Sequence, residues 1–157
     1  MTDHPGLNQD FVDILAALSE SGAEFIIVGA HAMAAHGVPR ATGDLDLFVR
    51  PSSENARRVV QALLDFGAPI ASHGVHAEDF SKPGTVYQVG LPPRRIDFLT
   101  EISGVTFDQA WADRIEVEIA GRAVAFLGET TLKRNKAAAD RDKDRVDLRL
   151  LEQKRPK

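Results

Sequence analysis

Phe25-Ile26-Ile27-Val28-Gly29-Ala30-His31-Ala32 and, a few residues on, His36-Gly37-Val38-Pro39-Arg40-Ala41-Thr42-Gly43-Asp44-Leu45-Asp46-Leu47-Phe48-Val49 decide how this chain folds. Glu24 to Val28 is a short apolar run rich in β-branched residues and bounded by glycine, which reads as a strand buried on both faces, with Gly29 as the turn. Small residues from Ala30 to His36 suit a helix packed close against a sheet, and Gly37 with Pro39 closes it. After a loop over Val38–Gly43, the segment from Asp44 to Val49 alternates, with Asp44, Asp46 and Phe48 on one side and Leu45, Leu47 and Val49 on the other. A strand puts the two carboxylates on one face, about 7 Å apart at Cα. Aspartate is poor in strands, and two like charges so placed repel each other until a divalent cation sits between them. Magnesium, which takes oxygen ligands and leaves positions open for water and phosphate, suits the pair. The plain alternative is two solvated acids on an edge strand.

Upstream, Asn8 or Asp10 caps a helix whose Phe11, Ile14, Leu15 and Leu18 form one apolar stripe, ended by Ser21-Gly22. Downstream, Pro51-Ser52-Ser53-Glu54 opens a helix through Phe66 with Ala56, Val59, Val60, Leu63 and Leu64 inward and Arg57, Arg58 and Asp65 outward, stopped by Gly67. Pro69 to Gly84 has no firm period and reads as a loop with a helical turn near Glu78. Thr85–Val89 and Arg94–Thr100 read as a hairpin-like pair of strands joined through Gly90-Leu91-Pro92-Pro93. A short helix over Phe107–Trp111 follows, then a hairpin of Ile115–Ile119 and Ala123–Phe126 about Ala120-Gly121-Arg122. The region from about 130 to 152 is helical and breaks near Asp140, with Lys133, Lys136, Asp140, Asp144 and Asp147 at three- or four-residue steps that would share a face. Gln153 to Lys157 reads as a frayed basic tail.

The 157 residues suit one domain spanning 1–157, long enough to bury a real core. Nineteen basic residues against 23 acidic ones give a net charge of -4, so nothing global calls for nucleic acid, although the C-terminal end is locally basic. With no cysteine, neither disulfides nor thiolate-held zinc are available, and any metal is held by oxygen or imidazole. Met1-Thr2-Asp3-His4-Pro5-Gly6 lacks the basic start and apolar core of a signal peptide, and no apolar run approaches the roughly 20 residues that span a bilayer. These features set the expectation of a cytoplasmic protein with no membrane partner.

Asp97, between Ile96 and Phe98, is a charge set within an apolar strand. Either it brings a third carboxylate to the cation and accepts a proton from an attacking hydroxyl, or it pairs with Arg94 or Arg95. Gly29-Ala30, between a strand and a helix, has the geometry that presents backbone N–H groups to phosphate, a geometry that many simple chain reversals share. Arg40, Lys133 and Lys136 are candidate phosphate cations, with solvated surface as the alternative for each. His31 and His36 are five apart and fall on different sides of a helix, and His73 and His76 lie in the irregular loop, so neither pair reads as a metal site.

Taken together, the apolar strand, Gly29-Ala30, the run His36-Gly37-x-x-Arg40-x-Thr42-x-Asp44-x-Asp46 and the later Asp97 resemble the polymerase-beta-like nucleotidyltransferase superfamily. Within it, the chain is similar to small bacterial members related to the abortive-infection toxins of the AbiE type. The resemblance spans about Phe25 to Leu99, with further support from Arg141-Asp142-Lys143-Asp144-x-x-Asp147-Leu148, which is similar to a Lys-Asp-x-x-Asp helix of those proteins. It implies an α/β (α+β) nucleotidyltransferase fold, a mixed β-sheet flanked by helices with a C-terminal helical segment. It further implies a nucleoside triphosphate gripped at Gly29, Ala30, Arg40, Thr42, Lys133 and Lys136, and Mg²⁺, or Mn²⁺ in its place, on Asp44, Asp46 and Asp97. The expected activity is transfer of a nucleoside monophosphate to a macromolecular acceptor, tRNA or protein, by one component of a toxin–antitoxin pair with an antitoxin partner. Superfamily members usually carry a second Gly or a Ser where this chain has Ala30, which removes one phosphate contact. That substitution motivates the alternative of a catalytically degenerate nucleotide- or partner-binding module.

Overall fold

In a computed structural model of the chain, residues 7–40 and 42–154 are described; the polar lead and the last three residues of the basic tail lie outside them. The strands are β1 (Phe25–Val28), β2 (Asp44–Val49), β3 (Val86–Val89), β4 (Arg95–Leu99), β5 (Ile115–Ile119) and β6 (Arg122–Phe126). They form one mixed sheet in the order β3-β4-β2-β1-β6-β5. β1 runs antiparallel to β2 and parallel to β6, and β2 runs parallel to β4, while β3 and β5 are antiparallel outer partners. The acidic strand β2 therefore lies inside the sheet between β1 and β4, and the alternative of two acids on an edge strand is ruled out.

Alternation sorts the side chains into two layers of core. Phe25, Ile27, Leu45, Leu47, Val49, Ile96 and Phe98 pack on one face against α1 (Gln9–Glu20) and α3 (Ser53–Phe66), through Phe11, Ile14, Leu15, Leu18, Val59 and Leu63. Ile26, Val28 and Phe48 pack on the opposite face with residues of α2 (Gly29–Ala35), α4 (Phe107–Asp113), α5 (Glu129–Ala139) and α6 (Asp142–Gln153). β1 is buried on both faces, as its unbroken apolar run implies. Each fully buried Leu, Ile or Phe contributes roughly 1.5–3 kcal/mol, so these two layers are the main source of stability. On the second face the apolar layer stops at Phe48, and beyond it the same side of β2 carries Asp46 and Asp44.

Local signals set most element ends. Asn8, rather than Asp10, caps α1 by accepting from Phe11 N–H at 3.0 Å, and Ser52 caps α3 in the same way. Gly67 takes the left-handed conformation that stops α3. The irregular segment contains one 3-10 turn, Ala77–Phe80, pinned by fully buried Phe80 against Tyr87 and Phe98. The break near Asp140 is real, with Asp140 in the left-handed region between α5 and α6.

Three expectations need correction. Leu64 is 54% exposed, because the stripe that α3 turns toward the sheet is centred on Ala56, Val59 and Leu63 and leaves Leu64 at its flank. The second hairpin turns on two residues, Ala120 and Gly121, both with positive φ, so β6 starts at Arg122. This is the two-residue turn whose twist matches that of the flanking strands. The C-terminal end is not frayed as far as Lys154, whose ammonium pairs with Glu129 at 2.6 Å and donates to the His36 carbonyl at 2.9 Å.

Candidate active site: an acid trio on the sheet and a second ion cluster on the helices

Parallel pairing of β2 with β4 sets Asp46 opposite Asp97 and Asp44 opposite Arg95. All four side chains project from the face on which α2, α5 and α6 lie, since their neighbours Leu45, Leu47, Ile96 and Phe98 fill the other. Burial, with the nearby carboxylates of Asp97 and Asp44, pushes the Asp46 carboxyl up to about 7. Arg95 partly offsets this. Its Nη2 lies 2.6 Å from Asp44 Oδ2 and its Nε 3.1 Å from Asp97 Oδ1, and Gln88 donates to Asp97 at 3.4 Å. Asp97 thus lies beside Asp46 and is paired with Arg95, the partner the alternative reading named.

Gly29 is where the backbone comes closest to these acids. It has a φ of +71°, and a Cβ there would stand 2.2 Å from Asp46 Oδ2. Only glycine meets both demands. No side chain caps the first turn of α2, so its N–H groups open toward the cleft beside Ala30. The cleft, about 1010 Å³, has Val28, Gly29, Ala30, Asp44 and Asp46 on the sheet side and Asn135, Lys136, Arg141, Lys143 and Asp147 on the helical side.

Of the expected phosphate-binding side chains, Arg40, Thr42 and Lys136 line this cleft, whereas Lys133 does not. Lys133 pairs with Glu129 one turn back, at 2.9 Å. Arg40 forms an ion pair with Asp147, and the Thr42 hydroxyl accepts from Asp44 N–H at 3.1 Å, which shapes the entry to β2. Lys136 lies 3.4 Å from Asp144 and 3.0 Å from Asp147, and burial pushes its ammonium below its usual range. The expected five-residue face therefore separates. Lys136, Asp144 and Asp147 converge across the bend, Asp140 turns away to Arg145 at 2.8 Å, and Lys133 is held by Glu129. Arg141 and Lys143 also line the cleft, although sequence reasoning assigned them no role beyond their place in the Arg-Asp-Lys-Asp run.

Among the described residues, no group of three or more His, Asp or Glu is arranged to hold a metal ion. The trio instead has a guanidinium between two of its members. No helix among them is long and apolar enough to cross a membrane.

The mixed sheet thus sets a glycine turn after β1 against the Asp-x-Asp strand β2, with Asp97 on the parallel neighbour β4. The lincosamide antibiotic adenylyltransferase LnuA, solved with lincomycin bound, superposes with a TM-score of 0.58 at 12% identity, over 94% of this chain and 97% of its own. TM1012 of Thermotoga maritima, assigned to the nucleotidyltransferases, superposes with a TM-score of 0.58 at 13% identity, over 97% and 98%. No curated protein sequence matches the chain. The family profile of the nucleotidyltransferase AbiEii toxins of type IV toxin–antitoxin systems matches residues 13–144, and the chain belongs to this family. It is a nucleotidyltransferase by fold and by family.

Proposed function

We propose that the chain moves a nucleoside monophosphate from a nucleoside triphosphate to a hydroxyl of a macromolecular acceptor, tRNA or protein. It does so as the toxin of a toxin–antitoxin pair, in the cytoplasm, with an antitoxin as partner. The observation that carries this reading is the Asp46–Asp97 pair, two carboxylates side by side on neighbouring strands, of which Asp46, with Asp44, lines an open cleft while Asp97 is buried behind it. The side-chain chemistry fits magnesium or manganese: Asp44, Asp46 and Asp97 offer hard oxygen ligands, and burial, with the nearby Asp97 and Asp44 carboxylates, pushes the Asp46 carboxyl up to about 7. When bound there, the cation supplies Lewis-acid stabilisation of the charge that develops on the transferred phosphate.

The chain's own residues do the rest. The Gly29–Ala30 backbone and Arg40 meet the triphosphate from one side and Lys136 from the other, with Thr42 holding the mouth of β2 in shape. The acceptor oxygen bonds to the α-phosphorus, the bond to the β-phosphate's bridging oxygen breaks, and pyrophosphate leaves. The hydroxyl proton passes to a carboxylate of the trio, assigned to Asp97. Incubating the protein with labelled nucleoside triphosphates, Mg²⁺ and cellular RNA or protein is expected to give label transfer that falls by about 100-fold or more in Asp46→Asn. Absence of transfer to any acceptor overturns the reading.

A second reading is favoured by Arg95 within the trio and by Ala30: a catalytically silent module of the same fold that binds nucleotide or a partner protein. Calorimetry separates the two, because binding of nucleotide that needs neither Mg²⁺ nor Asp46 belongs to the silent module.

A further inference from the structure

The acid trio is not bare: it holds a cation of its own. Arg95 enters β4 one residue before Ile96, and register places it opposite Asp44, so its side chain lies along the face that carries the acids. Its Nη2 is 2.6 Å from Asp44 Oδ2, its Nε is 3.1 Å from Asp97 Oδ1, and Nη2 is also 3.5 Å from Asp97 Oδ2. The guanidinium fork thus spans Asp44 and Asp97, with Nη2 donating to both carboxylates and Nε approaching Asp97 Oδ1 as an ion pair only. Of the cations that line the cleft, Arg40 pairs with Asp147, Lys136 with Asp144 and Asp147, and Arg141 with Asp144.

We propose that Arg95 is the resident counterion of the trio, a positioning residue that holds Asp44 and Asp97 in place until a divalent cation displaces it. The proposal rests on the metal-dependent reading above. The Arg95 side chain is 29% exposed, so it can swing toward water without unpacking the core. A guanidinium stays charged at every accessible pH, so a competing cation, and not loss of a proton, is what releases the acids. The site is thereby kept from paying the full repulsion of three carboxylates in the metal-free state, and metal affinity is lowered by the need to evict Arg95.

The test measures Mn²⁺ binding to the full chain by electron paramagnetic resonance, without nucleotide, for the wild type, Arg95→Gln and Arg95→Lys. The expected result is Mn²⁺ binding about tenfold tighter in Arg95→Gln, with Arg95→Lys in between because it keeps the charge and loses the fork. Equal or weaker binding in Arg95→Gln overturns the proposal. Should that variant fail to fold, Arg95→Lys decides alone, tighter binding than the wild type supporting displacement and equal or weaker binding overturning it. Thermal unfolding in EDTA supplies a second readout, in which Arg95→Gln lowers Tm and adding Asp44→Asn recovers part of the loss. Additive losses in the double variant overturn the counterion role. If the wild type and both variants bind no Mn²⁺, the metal-dependent reading fails and displacement with it, while the EDTA cycle still decides whether Arg95 is the trio's counterion.

Discussion

Asp46 carries the clearest electrostatic signature in the molecule. Its carboxyl sits near 7, raised from an ordinary 3.8, by burial and by two acidic neighbours. The sign follows directly: the folded state prefers the protonated form, so Asp46 stabilises the metal-free fold below about pH 4. That contribution is lost as pH rises through about 7. Asp46→Asn, a neutral isostere, is expected to raise the stability of the metal-free protein at pH 8 by about 1–3 kcal/mol and to change it little at pH 4, measured by urea unfolding in EDTA. A variant that abolishes transfer while gaining stability is the mark of a strained functional group. At this scale the alternation of Asp44-Leu45-Asp46-Leu47 was legible in the sequence, because period two assigns faces without knowledge of the partners. The role of Arg95 was only half legible. An arginine two residues before an aspartate in a strand looks the same whether it faces water or a second acid, and only register put Asp44 across from it.

At the scale of elements, the bend between α5 and α6 does the work that no single helix could. It folds Asp144 and Asp147 back onto Lys136, a cluster with a fully buried carboxylate at its centre. Lys136→Met is expected to cost about 1–3 kcal/mol, read from the midpoint of chemical unfolding, because Asp144 and Asp147 lose a buried partner while Arg141 and Arg40 still pair with them. The break was visible in the sequence as a charged interruption at Asp140, but its angle was not. Constant three- and four-residue steps grouped Lys133 with Lys136, and although both lie on α5, Lys133 is taken by Glu129 one turn back while Lys136 meets the acids of α6. The β5–β6 turn shows the same limit, since Ala120 adopts a φ of +50° that alanine does not favour and that only the pairing of the two strands reveals. Ala120→Asn is expected to raise Tm by a few degrees in a scanning calorimetry comparison, corresponding to about 0.5–1 kcal/mol, by supplying an Asn-Gly pair suited to this turn.

Over the whole molecule, the sheet order β3-β4-β2-β1-β6-β5 puts β1 and β2 at the centre and gathers the site from four stretches of sequence: the β1–α2 turn, β2, β4 and the C-terminal helix pair. The central strands and both apolar layers were readable because burial on two faces leaves an unbroken apolar run and burial on one leaves alternation. Strand order was not, since parallel neighbours such as β2 and β4 are separated by a long stretch of chain with its own helix and hairpin arm. That separation has a kinetic consequence. Asp46 and Asp97 are 51 positions apart, and they meet only when β4 docks beside β2. Closing so long a loop is slow in itself, and here the closing step also brings carboxylates together. A folding barrier that includes this docking carries an electrostatic cost that local helices and hairpins never meet. Stopped-flow refolding in EDTA at pH 8 is expected to run several-fold faster for Asp46→Asn than for the wild type, with divalent cations quickening the wild type alone. A newly made chain would then reach its finished form at a pace set by the ions around it.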